Sequence, residues 1–175
     1  MSARAPFRTV SVLVAALAGV VPATSQALGQ QGLFPGPSPV AVGTSPRCVE
    51  AGDLDGDGTL DLVVTNWTSG TVSASLGLGG GEFGPAVPHA LQVNPHSVVI
   101  ADFDDDGVLD LAAVNGNSDT LSVLAGLGGA VFAAPVHHAV GISPRTVRAA
   151  DVNGDGALDL VVAEPGGFSC YGAGR

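Results

Sequence analysis

Hydrophobic residues along the chain come in short bursts separated by glycines and polar turns. Val49 and Ala51 alternate with Cys48 and Glu50, the pattern of a half-buried strand. Leu62-Val63-Val64 forms a second, short and partly β-branched run. Turn formers follow at Asn66 to Gly70 and, further on, at Asn115 to Asp119. Thr71 to Leu76 and Leu121 to Leu124 read as third strands. Glycine-rich bends (Gly79-Gly80-Gly81, Gly128-Gly129) lead into segments carrying Phe83 or Phe132. Fourth strands are expected near Val87 to Leu91 and Val136 to Val140. Beyond the first residues no stretch carries a helical period, so the pattern predicts an all-β chain of four-stranded antiparallel units.

The units keep a register of 49 residues. Asp53, Asp102 and Asp151 share it, as do Asp61, Asp110 and Asp159; Pro46, Pro95 and Pro144; and Phe34, Phe83 and Phe132. The register needs no gap from Phe34 to the end. A period of this size suits one four-stranded β-propeller blade. The repeat region, 28–175, divides into units of about 45–93, 94–142 and 143–175, with 32–43 as an orphan final strand. Rings usually have about four to eight blades. Three repeats therefore predict a partial propeller, leaving open a fragment, part of a longer gene, or a ring completed by a second copy. Open strand edges invite self-association.

Composition narrows the function. Of the 16 acidic residues, 12 lie in three loops, the net charge is -10, and there is no lysine. No basic patch exists to neutralise nucleic-acid phosphates, so a nucleic-acid partner is not expected. Arg4 and Arg8 precede an apolar run from Val10 to Val21, and Ser25-Gln26-Ala27 offers small residues for cleavage. This predicts a signal peptide over 1–27 and a secreted, periplasmic or cell-surface protein. The run is shorter than the roughly 20 residues of a membrane span. An exported chain permits disulfides; Cys48 and Cys170 either pair or remain two buried thiols.

The loops read D-L-D-G-D-G-T-L-D from Asp53, D-F-D-D-D-G-V-L-D from Asp102 and D-V-N-G-D-G-A-L-D from Asp151. Carboxylates so dense repel unless they share a cation. Calcium takes about six to eight oxygens. In the first loop Asp53, Asp55, Asp57 and Asp61 supply side-chain oxygens and Thr59 a carbonyl. The second uses Asp102, Asp104, Asp106, the Val108 carbonyl and Asp110. The third uses Asp151, Asn153, Asp155, the Ala157 carbonyl and Asp159, with uncharged Asn153 weakening it. About three Ca²⁺ sites are expected. Gly58 is expected at positive φ, Asp105 facing solvent, and Leu60, Leu109 and Leu158 anchoring the loops to the core. An EF-hand would need Glu at loop position 12, where Val64, Ala113 and Val162 stand. Magnesium, which keeps its waters, suits the loops less well.

Units of the form P-x-x-V…D-x-D-x-D-G-x-x-D-L…F-x-x-P resemble the FG-GAP/VCBS repeats of integrin-α-like β-propellers, over about Phe34 to Arg175. The resemblance implies four-stranded blades with calcium in a hairpin loop, at the loop positions just named. Phe83-Gly84 matches the family's Phe-Gly, whereas Phe34-Pro35 and Phe132-Ala133 depart from it. An integrin-type ligand site is therefore not implied. The expected function is a calcium-binding module for adhesion or for a protein or glycan ligand. Alternatives are the scaffold of a secreted propeller enzyme and a structural surface or matrix component.

Variable turns supply candidate contacts: Trp67, in the sequon Asn66-Trp67-Thr68, and Asn115-Gly116-Asn117. His89 and His138 share a repeat position, and His96 aligns with Arg47 and Arg145. These repeats favour structural roles. No G-x-S-x-G or zinc-type histidine motif is present, so the expectation is not an enzyme.

Overall fold

The computed structural model describes residues 39–172. Those residues form thirteen strands and no helix. The first blade contains β1 (Pro46–Gly52), β2 (Asp61–Asn66) and β3 (Thr71–Ser75). A small ribbon, β4 (Gly77–Gly79) with β5 (Glu82–Phe83), precedes its last strand, β6 (Val87–Ala90). These four main strands pair antiparallel in the order β1-β2-β3-β6. The second blade repeats the order with β7 (Pro95–Ala101), β8 (Asp110–Asn115), β9 (Thr120–Leu124) and β10 (Val136–Ala139). The third blade has β11 (Thr146–Ala150), β12 (Asp159–Glu164) and β13 (Gly167–Tyr171). The chain is a partial propeller: three successive sheets, with no closed ring among the described residues.

The signal segment 1–27, Phe34 and residues 32–38 of the expected orphan strand lie outside the described residues. The rest of that strand, 39–43, carries no strand pairing.

The core lies between blades. One cluster joins Val63, Val72 and Ala74 of the first blade to Val98, Leu111, Ala113 and Leu124 of the second. Another joins Ala112, Val114 and Leu121 to Val147, Leu160 and Val162 of the third. The second sheet is thus packed on both faces, which explains why β8 reads as a continuous buried run. Between β2 and β3 the Asn66 Nδ2 donates to Ser73 Oγ at 2.9 Å. Asn115 Nδ2 repeats this with Ser122 Oγ at 2.7 Å. In the third blade the polarity reverses: Ser169 Oγ–H donates to Glu164 Oε1 at 2.6 Å. Asn66 is fully buried, so the glycosylation sequon is sealed in the folded chain.

Stacking changes several expectations. Val49 is 45% exposed, whereas its counterparts Val98 and Val147, packed against the preceding blade, are 0% exposed. The alternation of β1 is real, but Cys48 and Glu50 lie on its less exposed face. Leu60 is exposed and anchors nothing, although Leu109 packs against the core. In the first two loops the anchor is instead the second residue: Leu54 is buried and Phe103 packs into the next interface, whereas Val152 of the third loop is exposed. The 49-residue register also breaks once. Asn115 and Thr120 close the hairpin of the second blade, but Glu164 and Gly167 close a shorter one in the third. Two residues are missing from that turn, where Gly166 takes a φ of 97°. Phe168 therefore occupies the position of Leu121. Cys48 and Cys170 are both free; the first is half-buried and the second exposed.

Candidate metal loops

Each acidic loop joins the first two strands of its blade. The backbone builds it before any ion is considered. Asp53 Oδ1 accepts the N–H groups of Gly56 at 2.8 Å and Asp57 at 3.1 Å, and its Oδ2 accepts that of Gly58 at 2.9 Å. Asp102 accepts from Asp106 at 3.1 Å and Gly107 at 2.9 Å; Asp151 accepts from Gly154 at 2.6 Å and Gly156 at 3.0 Å. Further along, Thr59, Val108 and Ala157 donate their N–H to Asp57, Asp106 and Asp155 at 2.6, 2.7 and 2.8 Å. These short-range bonds wind the loop tightly. They require left-handed backbone at Gly58, Gly107 and Gly156, with φ of 85°, 88° and 88°. The fourth loop position is also left-handed: Gly56 (78°), Asp105 (60°) and Gly154 (80°). Asp105 is exposed, as expected.

In the first loop, carboxylate oxygens of Asp53, Asp55 and Asp61 lie within 4.8 Å of one another. In the second, those of Asp102, Asp104 and Asp106 do so. Such hard oxygen sets fit calcium. The third loop offers no comparable group of three acids among the described residues. There Asn153 Nδ2 donates to Asp155 Oδ2 at 3.1 Å.

The local electrostatics differ between loops. Partial desolvation, then the charges of Asp106, Asp110 and Asp102, raise the Asp104 carboxyl above its ordinary 3.8. The opposite holds for Asp151, lowered chiefly by the N–H groups of Gly156 and Gly154. Repulsion is thus concentrated in the second loop, which carries five acids.

The ninth-position aspartates have a role that sequence reasoning did not find. Asp61, Asp110 and Asp159 are buried. Asp61 Oδ2 accepts the Leu54 N–H and Oδ1 the Gly77 N–H, both at 2.7 Å. Asp110 repeats this with Phe103 at 2.9 Å and Gly126 at 2.7 Å, and Asp159 accepts from Val152 at 3.0 Å. Asp61 and Asp110 thereby clasp the loop to the chain just past the third strand. A signal was present: Gly77 and Gly126 are 49 residues apart. A Cβ at either would overlap the carbonyl oxygen of Leu60 or Leu109.

The aligned histidines diverge. His89 packs edge-on against Phe132, ring centroids 5.2 Å apart, while His138 is exposed. Trp67 is half-buried, with the Arg47 guanidinium 5.0 Å from its ring centroid. No described helix is long and apolar enough to cross a membrane.

The FG-GAP-like repeat family matches residues 53–113 and 102–162, more than half of the chain. No curated protein matches. Among solved structures, the Photorhabdus luminescens Tc holotoxin pore aligns with a TM-score of 0.51 and 26% identity, over 76% of this chain and 7% of that one. The TcdB2-TccC3 structure aligns with a TM-score of 0.47 and 28% identity, over 70% of this chain and 6% of that one. The chain thus spans less than a tenth of the length of these structures.

Proposed function

Starting from the fact that this chain belongs to the FG-GAP-like repeat family, we propose that it is an exported, non-catalytic β-propeller module whose acidic loops bind calcium. The observation that carries the reading is the convergence of Asp53, Asp55 and Asp61 oxygens within 4.8 Å, repeated by Asp102, Asp104 and Asp106. Bound calcium neutralises the mutual repulsion and joins the loop to the start of the second strand. Asp53 and Asp102 hold the loop through backbone N–H bonds; Asp53 Oδ2 and both Asp102 oxygens accept one bond each, and their second lone pairs remain for a cation. Asn153 makes the third loop the weakest. The calcium-stiffened blades present their turns to a protein or glycan partner. The apolar segment 10–21 supports export to a compartment where calcium is abundant, and the likeness to part of a holotoxin chain supports service as a building block in protein assemblies.

Calorimetric titration with calcium, paired with thermal melts in calcium and in chelator, tests the reading. Two stronger sites and one weaker are expected, with affinities on the order of 10⁻⁴–10⁻³ M as in extracellular modules. The melt is expected to rise in calcium. No heat of binding together with an unchanged melt would overturn it.

A further inference from the structure

Three repeat-equivalent positions, Arg47, His96 and Arg145, stand at the starts of the first strands of the three blades. In the first two blades the backbone is irregular in the same way. The β1–β2 register shifts between Pro46 and Cys48, leaving Arg47 as an extra residue, and the β7–β8 register shifts between Pro95 and Ser97, leaving His96. In the third blade Arg145 sits just outside β11, its N–H donating to the Ala163 carbonyl at 2.9 Å. Bulges of this kind re-aim a side chain out of the ladder.

Two of these groups meet, and the third stands close enough for its charge to act on one of them. Arg47 Nη1 lies 3.4 Å from His96 Nδ1. The His96 ring lies over Gly116, where a Cβ would come within 2.5 Å of its Cδ2 and 3.4 Å of the Pro144 carbonyl, one residue before Arg145. Arg47 and Arg145 disfavour a proton on His96, whose pKa is lowered first by burial and then by those two charges. Such a gathering is unexpected in a chain of net charge -10 with six arginines and no lysine. Among the described residues neither Arg47 nor Arg145 forms an ion pair; the ion pair present, Arg148 with Glu50 at 3.8 Å, uses another arginine. The acidic loops do not neutralise the group, because they leave the other end of β1, roughly 20 Å away along a seven-residue strand.

Beside the cationic group opens a cavity of about 480 Å³. Trp67 is shared by both, since its ring carries the Arg47 guanidinium. Its other lining groups include Thr68, Gln92, Asn94 and Ser118; the Thr68 hydroxyl and Asn94 amide donate within the chain and the Gln92 and Ser118 side-chain oxygens accept, which leaves the Gln92 amide N–H and the Ser118 hydroxyl proton as donors. The buried Trp67 Nε1–H has no acceptor among the described residues. Guanidinium groups hold carboxylates in paired hydrogen bonds, and amide and hydroxyl donors beside an indole suit a polyol.

We propose that Arg47, His96 and Arg145 bind the carboxylate of an acidic saccharide whose hydroxyls are met by the cavity beside Trp67. This names a ligand class for the presenting surface of the module, but it does not depend on the metal loops at the opposite end.

The test titrates the full chain, in calcium buffer at constant ionic strength, with glucuronate, glucose and inorganic sulfate. The His96 imidazole resonances, assigned with His96→Asn, report binding, and calorimetry gives affinity. Glucuronate is expected to shift His96 saturably, sulfate to bind more weakly, and glucose to leave it unmoved. Arg47→Gln and Arg145→Gln should each weaken glucuronate by about tenfold or more, the worth of one charged hydrogen bond, with melts like that of the parent. Arg148→Gln should bind normally. An unmoved His96 with glucuronate, equal binding of glucose, or equal loss in Arg148→Gln overturns the site. Sulfate binding as tightly as glucuronate overturns the saccharide. Should the chain prove indifferent to calcium, the same titration still decides this inference, because its readout and variants lie outside the loops.

Discussion

Asp61 and Gly77 are joined across sixteen positions of sequence, the buried carboxylate accepting the glycine N–H at 2.7 Å. Asp110 and Gly126 repeat the bond at the same separation and the same length. A residue that looks like one more metal ligand therefore also holds two strands together without metal. In chelator, Asp61→Ala should lose roughly 2–4 kcal/mol, because two backbone N–H groups lose a charged acceptor. Asp55→Asn, in the same chelator, should lose almost nothing, since Asp55 is exposed and accepts only the long Asp57 bond of 3.2 Å. Denaturant unfolding of both variants checks this; equal losses would mean that the buried aspartate has no separate structural role.

Gly77→Ala should be costly for a related reason. The added Cβ meets the Leu60 carbonyl, a backbone atom that cannot swing away. Overpacking of this kind costs about 1–3 kcal/mol. Gly84→Ala, whose Cβ would stand 3.6 Å from the Leu76 carbonyl, is the matched control and should be mild.

Asp105 holds a left-handed backbone where the other two loops use glycine. Asp105→Gly should stabilise the protein by about 1 kcal/mol through relief of that conformation. Loss of one negative charge from the most crowded loop acts in the same direction. The measurement is the shift in urea midpoint in chelator, and a fall in stability would contradict the prediction.

Leu121 and Phe168 occupy the same place on adjacent blades, yet Leu121 is buried between blades and Phe168 is 72% exposed. Leu121→Ala should cost about 2–5 kcal/mol. Phe168→Ala should stay within about 0.5 kcal/mol, as for an exposed site. Comparable losses would show that Phe168 is covered in solution.

Both His89 and His96 have lowered pKa values, in each case first through burial. A histidine held below 6.5 in the folded state takes its proton first in the unfolded chain. Stability should therefore fall as pH drops below 6.5 and level off once the pH is beneath the folded values. Melting temperatures across that window test it. The slope should shrink in His89→Gln and again in the double variant with His96→Gln; an unchanged slope would assign it to other groups.

Much of this architecture was legible in the chain itself. Three D-x-[DN]-x-D-G loops in register, alternating apolar bursts and glycine turns are local patterns, and local backbone geometry follows from them directly. That is why the hairpins, the left-handed Gly58 and the clustering of Asp53 with Asp55 could be read in advance. What tertiary structure decided is which equivalent residues are covered. Val49 and Val98, or Leu60 and Leu109, hold the same repeat positions but have different neighbours in space, because burial here comes from the adjacent blade rather than from the strand's own sheet. The clasp by Asp61 and the meeting of Arg47 with His96 were hidden for the same reason: each joins groups far apart along the chain that only the pairing and stacking of sheets brings within bonding distance.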